Sequence, residues 1–156
     1  MEYTTDGLYR PEDMTDEEAM AEMLDFADSP LLRMTFDTGN VYIAGHDPAQ
    51  FLQRFLLRVS HVHVKDVTPQ LAEEARGRDT GIGLSASAIG GGVNAEGIRR
   101  CVEMLKKAGF SGAVSLGCDA RGGLLMEESL VWFRALLDDL EYPHDLGNLQ
   151  GGENKR

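Results

Sequence analysis

"HVHVKD", residues 61–66, follows directly on an amphipathic helical stretch and ends in two opposite charges. Side chains alternate along a strand, so His61 and His63 share one face. The same grammar recurs on both sides of this segment. "LLRMTF" (31–36) is short and apolar and is closed by the turn-rich Asp37-Thr38-Gly39-Asn40, which predicts a strand. "GAVSLG" (112–117) predicts a third, built of small and apolar residues and broken at Gly117.

Helical patterns separate these strands. Thr15-Asp16-Glu17-Glu18 is a capping box, followed by Met20, Met23, Leu24 and Ala27 at helical spacing as far as Pro30. Asp47-Pro48 opens a second helix, because aspartate caps and proline suits the first helical position; its stripe is Phe51, Leu52, Phe55, Leu56 and Val59. Asn94 is expected to cap a third, with Ile98, Cys101, Val102 and Leu105 inward and Gly109 as its stop. A last helix carries Met126, Leu130, Phe133, Leu137 and Leu140. Residues 67–93 predict no clear element, and "GIGLSASAIGGGV" reads as a long flexible or ligand-facing loop.

The order is therefore α-βα-βα-βα with buried strands, the pattern of parallel βα units. It closes either as a doubly wound sheet or as part of an eight-stranded barrel. Three strands make a poor doubly wound domain, and no GxGxxG follows the first of them. A complete barrel takes about 250 residues, so a chain of 156 holds part of one. The predicted fold is α/β, a partial (β/α)8 barrel over residues 1–142, with the polar stretch 143–156 expected to be a disordered tail. The strands should lie side by side in chain order with helices on one face. The other side, lined by residues such as Met34, Phe36, Val62 and Val114, is expected to lack cover of its own, which predicts self-association or a complementing half barrel.

Composition narrows the function. The chain has 15 Lys and Arg against 26 Asp and Glu, a formal charge of −11, with no basic stripe for nucleic acid. No apolar run approaches the roughly 18 residues of a membrane span, and no leader pattern precedes the first acids. Cys101 and Cys118 lack metal-ligand spacing and read as free thiols of a cytoplasmic protein.

In parallel α/β folds, functional residues gather where strands end. That rule selects Asp37, then His63 with Lys65 and Asp66, then the segment Gly117–Asp119. Asp37 offers a hard oxygen and His63 an imidazole nitrogen, a mixed set suited to Mn, Co, Zn or Mg. Taken singly, Asp37 reads equally well as a turn aspartate bonding its own backbone, and each histidine as a satisfied buried one.

In combination, "FDTGN", "HVHVKD", "IGGGVNAEGI" and "GFSGAVSL", in this order, resemble the C-terminal half of the xylose isomerase-like sugar isomerase and epimerase superfamily. The resemblance covers roughly residues 1–137. It implies a (β/α)8 barrel, here about strands five or six to eight, with one or two divalent metals on a Glu, Asp, His and Glu at the last four strand ends. It also implies movement of protons or hydrides between adjacent carbons of a small sugar. Carried over by position, Glu2, Asp37 and His63 match metal ligands, and Glu2 and Lys65 would do the proton work. Asn40, Lys65, Asp66 and Asp119 would face substrate. The fourth ligand should be a glutamate at 117, where this chain has glycine. The resemblance thus predicts a truncated metal-dependent isomerase or epimerase. Its rivals are a non-catalytic half that needs a partner and a lyase acting on an oxidised glycoside.

Overall fold

A computed structural model describes residues 17–27, 29–78, 85–118 and 123–144. The elements run α1 (Glu17–Ala27), β1 (Met34–Asp37), α2 (Thr38–Ile43), α3 (Pro48–Phe55), β2 (Val59–Val64), α4 (Pro69–Ala75), α5 (Ala95–Lys107), β3 (Ala113–Leu116) and α6 (Leu124–Asp139). The sheet has the order β1-β2-β3, parallel throughout, as the βα reading requires. Thr35, His61 and Ala113 stand in line across it, as do Phe36, Val62 and Val114, and then Asp37, His63 and Ser115. The register slips between Met34 and Thr35, which lets Val59 and Val62, three residues apart, both point into the core.

Among the described residues, the helices pack on one face of the sheet. Met34, Phe36, Val59, Val62 and Val64 are buried in a single core with Met20 and Leu24 of α1, Phe51, Leu52 and Phe55 of α3, Ile98, Cys101, Val102 and Leu105 of α5, and Phe133, Leu136 and Leu137 of α6. The expectation that Met34, Phe36 and Val62 lack cover is therefore corrected: these are the helix-facing residues, and of that set only Val114 is exposed. The bare side carries Thr35, His61, His63, Ala113 and Ser115, the side that faces the interior when such a sheet closes into a barrel. A one-residue shift in the period of two exchanges the whole set, and apolar residues choose the helices.

The helix ends mix agreement and correction. Asp47 caps α3 as predicted, its Oδ1 accepting from the Ala49 and Gln50 amides at 2.9 and 3.2 Å. Gly109 stops α5 in the left-handed region, at φ +65°, with the Phe110 amide donating to the Leu105 carbonyl at 3.0 Å. Asn94 stands at the N-cap position of α5 but makes no side-chain cap; its Nδ2 donates to the Thr38 carbonyl at 3.1 Å instead. Val59, expected at the end of a helix, begins β2 after a 3₁₀ turn over Leu56–Arg58. The stretch expected to be all loop contains α4, whose Thr68 accepts from the Leu71 amide at 3.1 Å and whose Pro69 occupies the first turn. The capping box at Thr15 and almost all of the expected tail lie outside the described residues.

No helix among the described residues is long and apolar enough to cross a membrane. Both cysteines are free; burial pushes the Cys101 thiol up to about 12, whereas Cys118 is partly exposed. The thiolate is the nucleophile, so a disulfide reagent should label Cys118 on the native protein and reach Cys101 only on unfolding. Peptide mapping after a timed reaction checks this; equal labelling would mean that α5 opens readily.

Candidate functional site at the strand ends

Asp37 ends β1 and begins α2. Its Oδ1 accepts from the Gly39 and Asn40 amides at 2.9 Å each, which holds the carboxylate at the head of the short helix. Its Oδ2 lies 3.5 Å from Lys65 Nζ and 3.9 Å from His63 Nδ1. Oδ1 thus does the work of a turn aspartate, while Oδ2 is turned toward Lys65 and His63. Four of the residues picked from the sequence, Asp37, Asn40, His63 and Lys65, converge here because β1 and β2 are parallel and in register at Asp37 and His63.

Lys65 reaches the site along an unusual path. Its aliphatic stem lies against Gly39, where any β-carbon would come within 2.6 Å of the lysine Cδ. Its Nζ donates to Asn40 Oδ1 at 2.7 Å. The Thr38 hydroxyl fixes its backbone, donating to the Lys65 carbonyl and accepting from the Lys65 amide, both at 2.9 Å. The side chains of Asp37 and Lys65 are nearly buried, while that of His63 remains 44% exposed on the bare face. His61 stands beside it, edge to face at 4.6 Å, and pairs with Ser115 Oγ at 2.8 Å. Sequence reasoning missed Thr38, Gly39 and Ser115. Only the turn-rich composition of 37–40 hinted at the first two, and nothing local marked the third.

Asp66, expected to face substrate, is fully buried. Its Oδ1 accepts from the Val67 and Asn94 amides at 2.8 and 2.9 Å, and its Oδ2 from the Gly90 and Gly92 amides at 2.9 and 3.0 Å. Both oxygens are taken by backbone, so the structure makes Asp66 the anchor of the 88–94 segment and leaves it no face for substrate. Asn94 carries this order to the strand-end cluster through the Thr38 carbonyl. Glu2 and Asp119 lie outside the described residues.

Gly117 donates its amide to the Val64 carbonyl at 2.8 Å, and a β-carbon there would lie 3.7 Å from that oxygen and 4.0 Å from Lys65 Cε. Its backbone is outside the left-handed region, so nothing in the local geometry demands glycine. These positions offer a divalent metal few donors among the described residues. Asp37 Oδ2 and His63 Nδ1 are the candidate donors, an ammonium already stands on the carboxylate, and position 117 offers none. Among the described residues no group of three or more His, Cys, Asp or Glu could hold a metal ion. The described residues do not make a divalent-metal centre.

The arrangement is a cation, a carboxylate, an amide and a half-exposed imidazole at the carboxyl end of a parallel sheet. Inosose dehydratase of Bacillus thuringiensis is 35% identical to this chain over 52 residues, 33% of the chain and 17% of that protein. Inosose dehydratase of Clostridium botulinum is 29% identical over 59 residues, 38% of the chain and 20% of its own length. Inosose dehydratase 2 of Bacillus cereus is 31% identical over 58 residues, 37% and 20% of the respective chains. The matched stretch thus spans no more than a fifth of these relatives. The family pattern described as xylose isomerase-like TIM barrel matches residues 5–136. With the parallel three-stranded sheet and its single helical cover, that match places the chain in the xylose isomerase-like TIM barrel family.

Proposed function

We propose that this chain forms the C-terminal wall of a barrel enzyme that acts on a small polyhydroxylated carbonyl compound and eliminates water from it. The observation that carries the reading is the convergence of Asp37, Asn40, His63 and Lys65 at one end of the sheet. Dehydration beside a carbonyl begins with removal of the neighbouring proton, for which imidazole is a common base, and half-exposed His63 beside Asp37 would supply it here. The electrons collect on the carbonyl oxygen, where a buried ammonium stabilises the developing charge. They then return to expel the hydroxyl one carbon further on, which leaves as water once it is protonated. Isomerisation or epimerisation shares the first step and differs in that the carbanion is reprotonated. The names of the similar proteins favour elimination. Glu2 would add a carboxylate to this site and Asp119 a further polar contact. The remaining barrel strands would pair with β1 and β3, the two edges of this sheet.

An inosose titrated into the ¹⁵N-labelled protein should shift the amides of Asn40, His63, Lys65 and Gly117 together. The reaction mixture should yield a product lighter by one water. Lys65→Met should lower turnover by about a hundredfold or more, the usual scale for removing a group that stabilises developing charge. Shifts confined to other parts of the chain would defeat the site assignment. A product of unchanged mass would replace elimination by isomerisation.

A further inference from the structure

Both oxygens of Asp37 are engaged: Oδ1 by two amides and Oδ2 by its approach to Lys65 Nζ. The same ammonium takes Asn40 Oδ1 at 2.7 Å. Two hard oxygens suited to a cation at the end of β1 therefore already face one. Three features build this arrangement into the chain. Gly39 opens the channel for the lysine stem, since a β-carbon would lie 2.6 to 2.8 Å from Cδ, Cβ and Cγ. Thr38 pins the lysine backbone on both its amide and its carbonyl. Gly117, next to Lys65 Cε, has room and ordinary backbone for a carboxylate and carries none. Adding a negative group there would give the ammonium a competing partner and pull it from Asp37.

We propose that the Lys65 ammonium is the resident cation of this site, standing on Asp37 and Asn40 in place of a divalent metal. Its chemical task is to bind a substrate oxygen that is or becomes negative, a carbonyl turning to an enolate or a carboxylate. This goes beyond the reaction proposed above, because it concerns the ionic state of the site and holds whether water is lost or a hydrogen is moved. It also reverses the simplest expectation for position 117. A glutamate there meets an ammonium before it meets a metal.

The test is titration with Mn²⁺, read by the electron-spin signal of the free ion, and needs no turnover. Wild type should bind weakly. Lys65→Gln and Lys65→Met should each bind at least about tenfold tighter, because the like charge that stands in the ion's place on Asp37 and Asn40 has been removed. The methionine variant keeps an apolar stem in the Gly39 channel, so a misfolded glutamine variant does not decide the matter. Gly117→Glu alone should change affinity little, and combined with Lys65→Met it should bind tightest of all. Adding Asp37→Asn to Lys65→Met should remove the gain. Equal or weaker binding in both lysine variants would overturn the proposal, as would a large gain from Gly117→Glu alone. Either result would leave the elimination reading to be judged on its own product analysis.

Discussion

Replacing Asp66 by alanine should destabilise the protein by about 3–5 kcal/mol, the scale for removing one partner of a buried charged network. The carboxylate is fully buried and accepts four backbone amides, from Val67, Gly90, Gly92 and Asn94. Alanine leaves those donors without an acceptor, and each unsatisfied buried group costs about 1–3 kcal/mol, less where water can enter. Gly92 packs directly on this carboxylate, so close that a β-carbon there would come 2.4 Å from Asp66 Oδ1. Asn is the informative control. It keeps the shape but turns an NH₂ toward two of the four donors, so Asp66→Asn should lose roughly half as much, within the 1–3 kcal/mol of an unmet buried donor. Chemical denaturation of the three proteins reads this directly. The loss should also reach the strand ends, since Asn94 holds the Thr38 carbonyl and Thr38 holds Lys65. A loss below about 1 kcal/mol for Asp66→Ala would mean that solvent already reaches these amides.

Asp66 also shows where sequence reading stops. The motif "HVHVKD" places Lys65 and Asp66 together at a strand end, and the rule that strand ends carry function selects both. Successive residues leaving a strand point to opposite sides, so Lys65 reaches Asp37 while Asp66 turns into the core. Which of the pair turns outward is set by the 88–94 segment, whose amides need an acceptor, and that demand is invisible in local sequence. The parallel order of the three strands was legible, because helical and strand periods alternate and each strand is short and apolar. The meeting of Asp37 with His63 was legible for the same reason. Helix α4 was legible in principle, since Thr68-Pro69 is a start signal, but the glycine-containing stretch after it weakened the signal. Helix α2 was not: Thr, Gly and Asn are poor helix formers, and six residues hold through the Asp37 cap, the Thr38 bonds to Lys65 and Asn94, and burial of Val41 and Ile43.

The second large effect separates the two faces of the sheet. Phe36→Ala should cost about 3–5 kcal/mol, the usual range for emptying a buried aromatic site. Phe36 is 1% exposed and stacks on Phe51 at 6.2 Å, which in turn packs on Phe55 at 5.0 Å. The loss is thus a cavity between β1 and α3 that rigid neighbours on both sides cannot close. Its neighbour Thr35 points to the bare face, and Thr35→Ala should stay within about 0.5 kcal/mol, as surface changes do. Adjacent residues of one strand would then differ by nearly the whole cost of a core side chain, because the period of a strand is two. The contrast bears on how the barrel completes itself. If the polar face of Thr35, His61, His63 and Ser115 is the interior of a closed barrel, Thr35→Ala should remain mild on the isolated chain and grow costlier once complementing strands bury it. Phe36→Ala, already under its helices, should cost the same in both. Denaturation midpoints of both variants, alone and with a supplied N-terminal half, measure the four values. A Thr35 cost that does not move on complementation would show that the added strands pack elsewhere than over this face.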